Sequence, residues 1–102
     1  MVQKAQVQVP KEQIEDFCKR HHIRKLALFG SVLRSDFKPE SDVDVLVEFE
    51  SGHKVGLLKM ARIESELSDL VGRKVDLRTP GDLSHYFRQE VIENAEVQYA
   101  QG

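Results

Sequence analysis

Apolar positions recur along this chain with two periods, and the period changes from one segment to the next. Pro10 suits a first helical position, and Ile14, Phe17, Cys18 and His21 follow at helical spacing, predicting an amphipathic helix from Pro10 to about His21. Ile23 to Phe29 reads as a strand that ends at Gly30. Ser31 to about Asp36 is compatible with a short helical turn, and Lys38 to Ser41 with a loop. Asp42 to Phe49 then alternates, with Val43, Val45, Val47 and Phe49 on one face and Asp42, Asp44, Leu46 and Glu48 on the other. Leu57, Met60, Ile63, Leu67 and Leu70 return to the helical period, so Val55 to Val71 is predicted helical, with this stripe as core and Gly72 as its stop.

A third, short strand covers Lys74 to Arg78. Thr79-Pro80-Gly81-Asp82 has the residues of a capping box with proline at the first helical position. The helix expected from it carries Leu83, Phe87, Val91 and Ala95 on one stripe, and Glu96 to Ala100 follows as an edge strand. Strands alternating with helices predict an α/β layer fold: one small domain over residues 1–102, with a short mixed sheet flanked by helices. Its 102 residues suffice for one core without staples, and the single cysteine, Cys18, excludes a disulfide framework or a cysteine-rich zinc site. Cys18 falls on the apolar stripe of the first helix and is expected in the core.

Charge changes the picture through its distribution. A net charge of −2 excludes nucleic-acid binding by broad electrostatic attraction. Basic residues outnumber acidic ones over residues 1–38, whereas residues 39–52 hold only acids: Glu40, Asp42, Asp44, Glu48 and Glu50. No apolar run approaches the roughly 20 residues that span a bilayer. The first ten residues lack the apolar block of a signal peptide, so a cytoplasmic location is expected.

Within that acidic block, two residues are awkward as structure. Asp is a poor strand former, yet Asp42 and Asp44 open a Val-rich strand at i and i+2, which points both carboxylates to one face. Asp76 repeats the oddity between Val75 and Leu77. If the two strands lie side by side, three carboxylates converge, and such a cluster demands a counter-cation. All-oxygen ligands without a Cys/His cluster favour Mg²⁺ or Mn²⁺ over zinc. The alternative is a turn cap at Asp42 with Asp44 and Asp76 on a solvated face. It accounts for either strand alone, but the coincidence in two apolar strands favours the cation site. Gly30-Ser31, following a strand, offers backbone N–H groups and a hydroxyl to an anion, and Arg34 could add charge to the same phosphate.

Gly30-Ser31, ten intervening residues, then Asp42-Val43-Asp44, with Asp76 as a third acid, resembles the signature of the DNA polymerase β-like nucleotidyltransferases. The segment LFGSVLRSDFKPESDVDVLVEF and the tail VIENAEVQYA resemble the minimal nucleotidyltransferases in particular, and the likeness runs from Ile23 to Tyr99. It implies a catalytic head over residues 23–100; residues 1–22, which carry the helix predicted from Pro10, are expected as an N-terminal helical segment that adds little to the likeness. It further implies that Asp42 and Asp44 hold two Mg²⁺ ions, that Asp76 binds the catalytic one and helps deprotonate the attacking hydroxyl, and that Gly30 and Ser31 cradle a triphosphate. Proteins of this kind are typically antitoxins paired with a helical HEPN toxin. The resemblance therefore implies transfer of AMP from ATP to a tyrosine hydroxyl of that toxin, silencing its RNase activity, with pyrophosphate released.

A head this small leaves little chain for gripping a separate substrate, which favours an acceptor that brings its own surface, such as a protein. Two other functions stay open: an antitoxin that neutralises by binding alone, and nucleotidyl transfer to a small molecule with a separate substrate-binding subunit. No membrane association and no sequence-specific nucleic-acid binding are expected. His21-His22 is read as a cationic helix end, His53 as a loop residue with no evident partner, His85-Tyr86 as helix surface, and Glu48 and Glu50 as a solvated strand end.

Overall fold

The computed structural model describes residues 10–30 and 42–101. Helix α1, Lys11–Arg20, begins after extended Pro10, carries Glu12 in its first turn and closes with Lys19 and Arg20, a charge order that complements the helix dipole. It buries Ile14, Phe17 and Cys18. His21 caps it, and His22 turns the chain into β1 with a left-handed φ of 56°. Strands β1 (Ile23–Phe29) and β2 (Val43–Phe49) pair antiparallel, with an irregularity between Ile23 and Lys25. Helix α2, Leu57–Val71, ends at Gly72, whose φ of 75° lets its own N–H and that of Arg73 both reach the Ser68 carbonyl. Strand β3, Val75–Arg78, then pairs parallel with β2. Helix α3, His85–Asn94, leads into β4, Glu96–Ala100, which pairs antiparallel with β1.

The sheet order is β3-β2-β1-β4, so the mixed four-stranded sheet expected from the α/β pattern is present, with β4 at one edge. The strand alternation separates the two faces. Leu26, Leu28, Val43, Val45, Val47, Val75 and Leu77 form one core with Ile14, Phe17 and Cys18 of α1 and Ile63 and Leu67 of α2. The other face carries Asp44 and Asp76, with Ala27 and Leu46 also buried upon it. Among the described residues, no helix is long and apolar enough to cross a membrane.

Edge strand β3 is held from outside the sheet by α2. Ser68 Oγ donates to the Glu64 carbonyl (2.8 Å) and accepts the N–H of Val75 (3.0 Å), while Glu64 Oε2 accepts the N–H of Leu77 (2.8 Å). Two amides that the sheet leaves unpaired are thereby satisfied, and the edge is closed to other strands.

The structure corrects two expectations. The capping box at Thr79 and Asp82 forms, but it starts only a 3-10 turn, Pro80–Asp82. Leu83 is extended, and a new cap at Ser84, whose hydroxyl accepts from the Tyr86 N–H, begins α3. Gly81 inside the turn weakens any continuation of it. The stripe of α2 is core only from Met60 onward: Leu57 is 91% exposed, while Val55, just before the helix, packs on the core in its place. The predicted turn at Ser31–Asp36 and loop at Lys38–Ser41 lie outside the described residues.

Candidate active site

Asp44 and Asp76 are register partners in the parallel β2–β3 pair, flanked by Val43 with Val75 and Val45 with Leu77. In-register residues of neighbouring strands point the same way, and the strands lie only about 4.8 Å apart. With the valines and Leu77 committed to the core, both carboxylates emerge on the opposite face. Asp42 lies just before β2, two positions from Asp44, with its side chain 46% exposed. The adjacency of β2 and β3 brings Asp44 and Asp76 side by side, and Asp42 stands two positions earlier, just ahead of β2.

Gly30 closes the group from the side of β1. Phe29 pairs with Asp44, and the next residue, Gly30, has a φ of 76°. A Cβ built there would overlap Oδ2 of Asp44 and lie 3.2 Å from its Cγ. The absence of a side chain thus leaves the room that the Asp44 carboxylate occupies, and the left-handed backbone is one that glycine adopts without cost. Ser31 and Arg34, the other predicted anion contacts, lie outside the described residues.

Two cations border the acids. Arg78 donates to Asp76 Oδ2 at 3.1 Å, and Lys74 Nζ stands 4.0 Å from Asp42 Oδ2. The hydrogen bond and charge of Asp76 push the Arg78 guanidinium above its usual range, and Asp44 and Asp82 add to that in the same direction. Arg78 thus lies within the field of Asp76, Asp44 and Asp82. Neither cation belongs to the motif that marks the acids. Their signal was the alternation Lys74, Asp76, Arg78, which places two bases on the face of the acid they flank.

Comparison with known proteins identifies the family. Residues 10–97, a span that includes Gly30, Asp42, Asp44 and Asp76, match the family described as nucleotidyltransferase domain. Over 73 residues the chain is 37% identical to the protein adenylyltransferase MntA of Thermococcus cleftensis, covering 72% of each. A solved structure of a candidate minimal nucleotidyltransferase superposes with a TM-score of 0.68 at 35% identity, over 83% of this chain and 85% of that one. The fold also recurs, at 17% identity and a TM-score of 0.63, in a complex of a tri-AMPylated Shewanella oneidensis HEPN toxin with an MNT antitoxin, over 89% of this chain and 70% of that one. By the extent of the family match and by its fold, this chain belongs to the nucleotidyltransferase domain family and is a nucleotidyltransferase.

Proposed function

We propose that this protein is an antitoxin that transfers AMP from ATP to a tyrosine hydroxyl of a cognate HEPN toxin in the presence of Mg²⁺. The observation that carries the reading is the in-register pair Asp44 and Asp76, with Asp42 beside it and Gly30 against Asp44. The activity named for the Thermococcus relative supports adenylyl transfer to protein, and the Shewanella complex supports a HEPN partner.

The donor set suits hard divalent cations. Three carboxylates supply only oxygen, and Gly30 keeps the place of one of them clear. Asp42, Asp44 and Asp76 would hold two Mg²⁺ ions, or Mn²⁺, which when bound neutralise the triphosphate and the charge that develops at its α-phosphorus. Gly30, Ser31 and Arg34 cradle the triphosphate through backbone N–H, hydroxyl and guanidinium groups. The tyrosine oxygen attacks the α-phosphorus, and Asp76 accepts the phenolic proton. The bond from the α-phosphorus to its bridging oxygen breaks as the new P–O bond forms, and pyrophosphate leaves. Arg78, hydrogen-bonded to Asp76, fixes the direction of that carboxylate. In such a reaction the protein mainly positions and neutralises.

Intact mass spectrometry of the HEPN protein, after incubation with this protein, ATP and Mg²⁺, tests the reading. One or more adenylyl units should be gained with the parent and none with Asp44→Ala. A stable complex without mass gain, in which Asp44→Ala still protects, would leave an antitoxin that acts by binding. AMP appearing on a small molecule would move the acceptor away from protein.

A further inference from the structure

At the end of β2 remote from Asp44, a second group of ligating side chains comes together. The ligand atoms of His22, Glu50 and His53 all lie within 4.8 Å of one another. His22 Nδ1 is 3.7 Å and His53 Nε2 3.9 Å from the same oxygen, Oε1 of Glu50. The two imidazole rings stack with centroids 4.0 Å apart and planes 11° from parallel. We propose that His22, Glu50 and His53 form a binding site for a late first-row divalent cation, zinc foremost, separate from the aspartate site.

The donor set selects the ion. Two imidazoles and one carboxylate suit zinc and its neighbours, whereas Mg²⁺ favours oxygen alone. Bonds of about 2.0–2.1 Å in a tetrahedral shell place neighbouring ligand atoms about 3.3 Å apart. The two Glu50 separations exceed that by about 0.4 and 0.6 Å, so closing the shell requires both rings to turn out of their parallel stack until their ring nitrogens face one ion, with water in the fourth position. All three side chains are partly exposed, so an ion can reach them and the rings can adjust.

The surroundings hold the group in place. Glu50 and His22 are fixed to one another by the Glu50 N–H, which donates to the His22 carbonyl at 2.8 Å, and the His53 N–H donates to the Glu50 carbonyl at 3.1 Å. Gln101 Nε2 donates to Glu50 Oε2 at 2.8 Å, occupying the far oxygen and leaving Oε1 to the histidines. His22 adopts φ 56°, a conformation that costs a residue with a Cβ, at a helix exit where glycine would serve without strain. Asp44 and Glu50 are six positions apart in sequence, which in extended chain is about 20 Å. The cation would thus fasten the entry of β1 to the turn after β2 without touching the aspartates.

The test is calorimetric titration of the metal-free full chain with zinc chloride, with Mg²⁺ in excess to occupy the aspartates. One equivalent should bind to the parent. His53→Gln and Glu50→Gln should each weaken that binding more than about 100-fold, and Gln101→Ala roughly 10-fold. His85→Gln, a histidine outside the group, should leave it unchanged. Zinc should raise the thermal midpoint of the parent and leave that of His53→Gln in place, while circular dichroism without metal should show both equally folded. His53 stands in a turn, so its replacement spares the core. Equal zinc affinity of parent and His53→Gln, or no stoichiometric binding by the parent, overturns the site.

Discussion

Gly30 and Asp44 share one volume: the carboxylate of Asp44 fills the space where any larger residue at position 30 would place its Cβ. The glycine also sits at φ 76°, so two independent demands fall on one position. Gly30→Ala must strain the backbone, at about 1–2 kcal/mol, and displace the Asp44 side chain. We expect a modest loss in urea unfolding, together with a fall in AMP transfer of about 100-fold, since small misplacements of catalytic groups have that scale of effect. A variant destabilised but fully active would show that the position of Asp44 is not what Gly30 protects.

Asp44→Asn keeps the shape of the side chain and removes its charge. Transfer should fall about 10²- to 10³-fold or more, the scale for losing one electrostatic contact to a transition state. Stability should change by less than about 1 kcal/mol, because the site lies on the opposite face from the core. Asp76→Asn should behave alike, for its carboxylate projects from the same register position. Transfer rates and unfolding curves on the same samples separate this outcome from misfolding.

Strand β3 carries Asp76 but belongs to the edge of the sheet, and its outer amides depend on α2. Ser68→Ala would leave the Val75 N–H without its acceptor, at about 1–3 kcal/mol. Glu64→Ala would do the same to Leu77. Amide exchange should accelerate at Val75 and Leu77 in the respective variants, and transfer should fall even though neither residue touches the aspartates. Unchanged exchange would mean that the sheet alone holds β3.

Much of this arrangement was legible in the sequence for a physical reason. Val43, Val45 and Val47 fix the face of β2 by period two, which leaves Asp44 nowhere to point except outward, and Val75 and Leu77 do the same for Asp76. The charge balance around the acids is less visible: strand periodicity marks Arg78 as a strand end and carries no sign of its bond to Asp76. The meeting of His22 with His53 had no local signal at all, since it arises from the antiparallel register that brings the start of β1 to the end of β2. The helix predicted from Thr79 failed because capping residues announce a turn but do not guarantee its extension. Leu57 failed because periodicity locates a stripe but not where the partner surface ends.

Helices α1 and α2 are joined by Glu66, which accepts from Arg20 Nη2 at 2.5 Å and lies 3.1 Å from His21 Nε2. The Arg20 hydrogen bond, with His21 assisting, holds the Glu66 carboxyl below the usual carboxylate range. A depressed folded pKa stabilises the fold above the unfolded value, about 4.3 for glutamate, and that contribution is lost as pH falls through the folded value. Glu66→Gln should therefore unfold at lower urea than the parent at pH 7, with the gap closing as pH falls below about 4.3. Added salt should narrow the gap at neutral pH, because the pair is partly exposed. A gap independent of pH would assign the loss to packing and not to charge.

Cys18 lies fully within the core beside Phe17 and Ile14, and burial pushes its thiol up to about 12. At pH 8 the thiolate is then about one part in ten thousand, and the sulfur is shielded from reagents as well. Iodoacetamide should leave the native chain unmodified over times that label it fully in urea. Because reaction requires exposure, residual labelling at low urea should follow the opening of α1 from the sheet. Core variants such as Ile14→Ala, which removes a contact of α1 with the sheet, should cost about 2–5 kcal/mol and accelerate labelling accordingly. If native labelling is fast in the parent and insensitive to Ile14→Ala, α1 opens without disturbing the core, and its packing contributes little to the stability of the sheet that carries the aspartates.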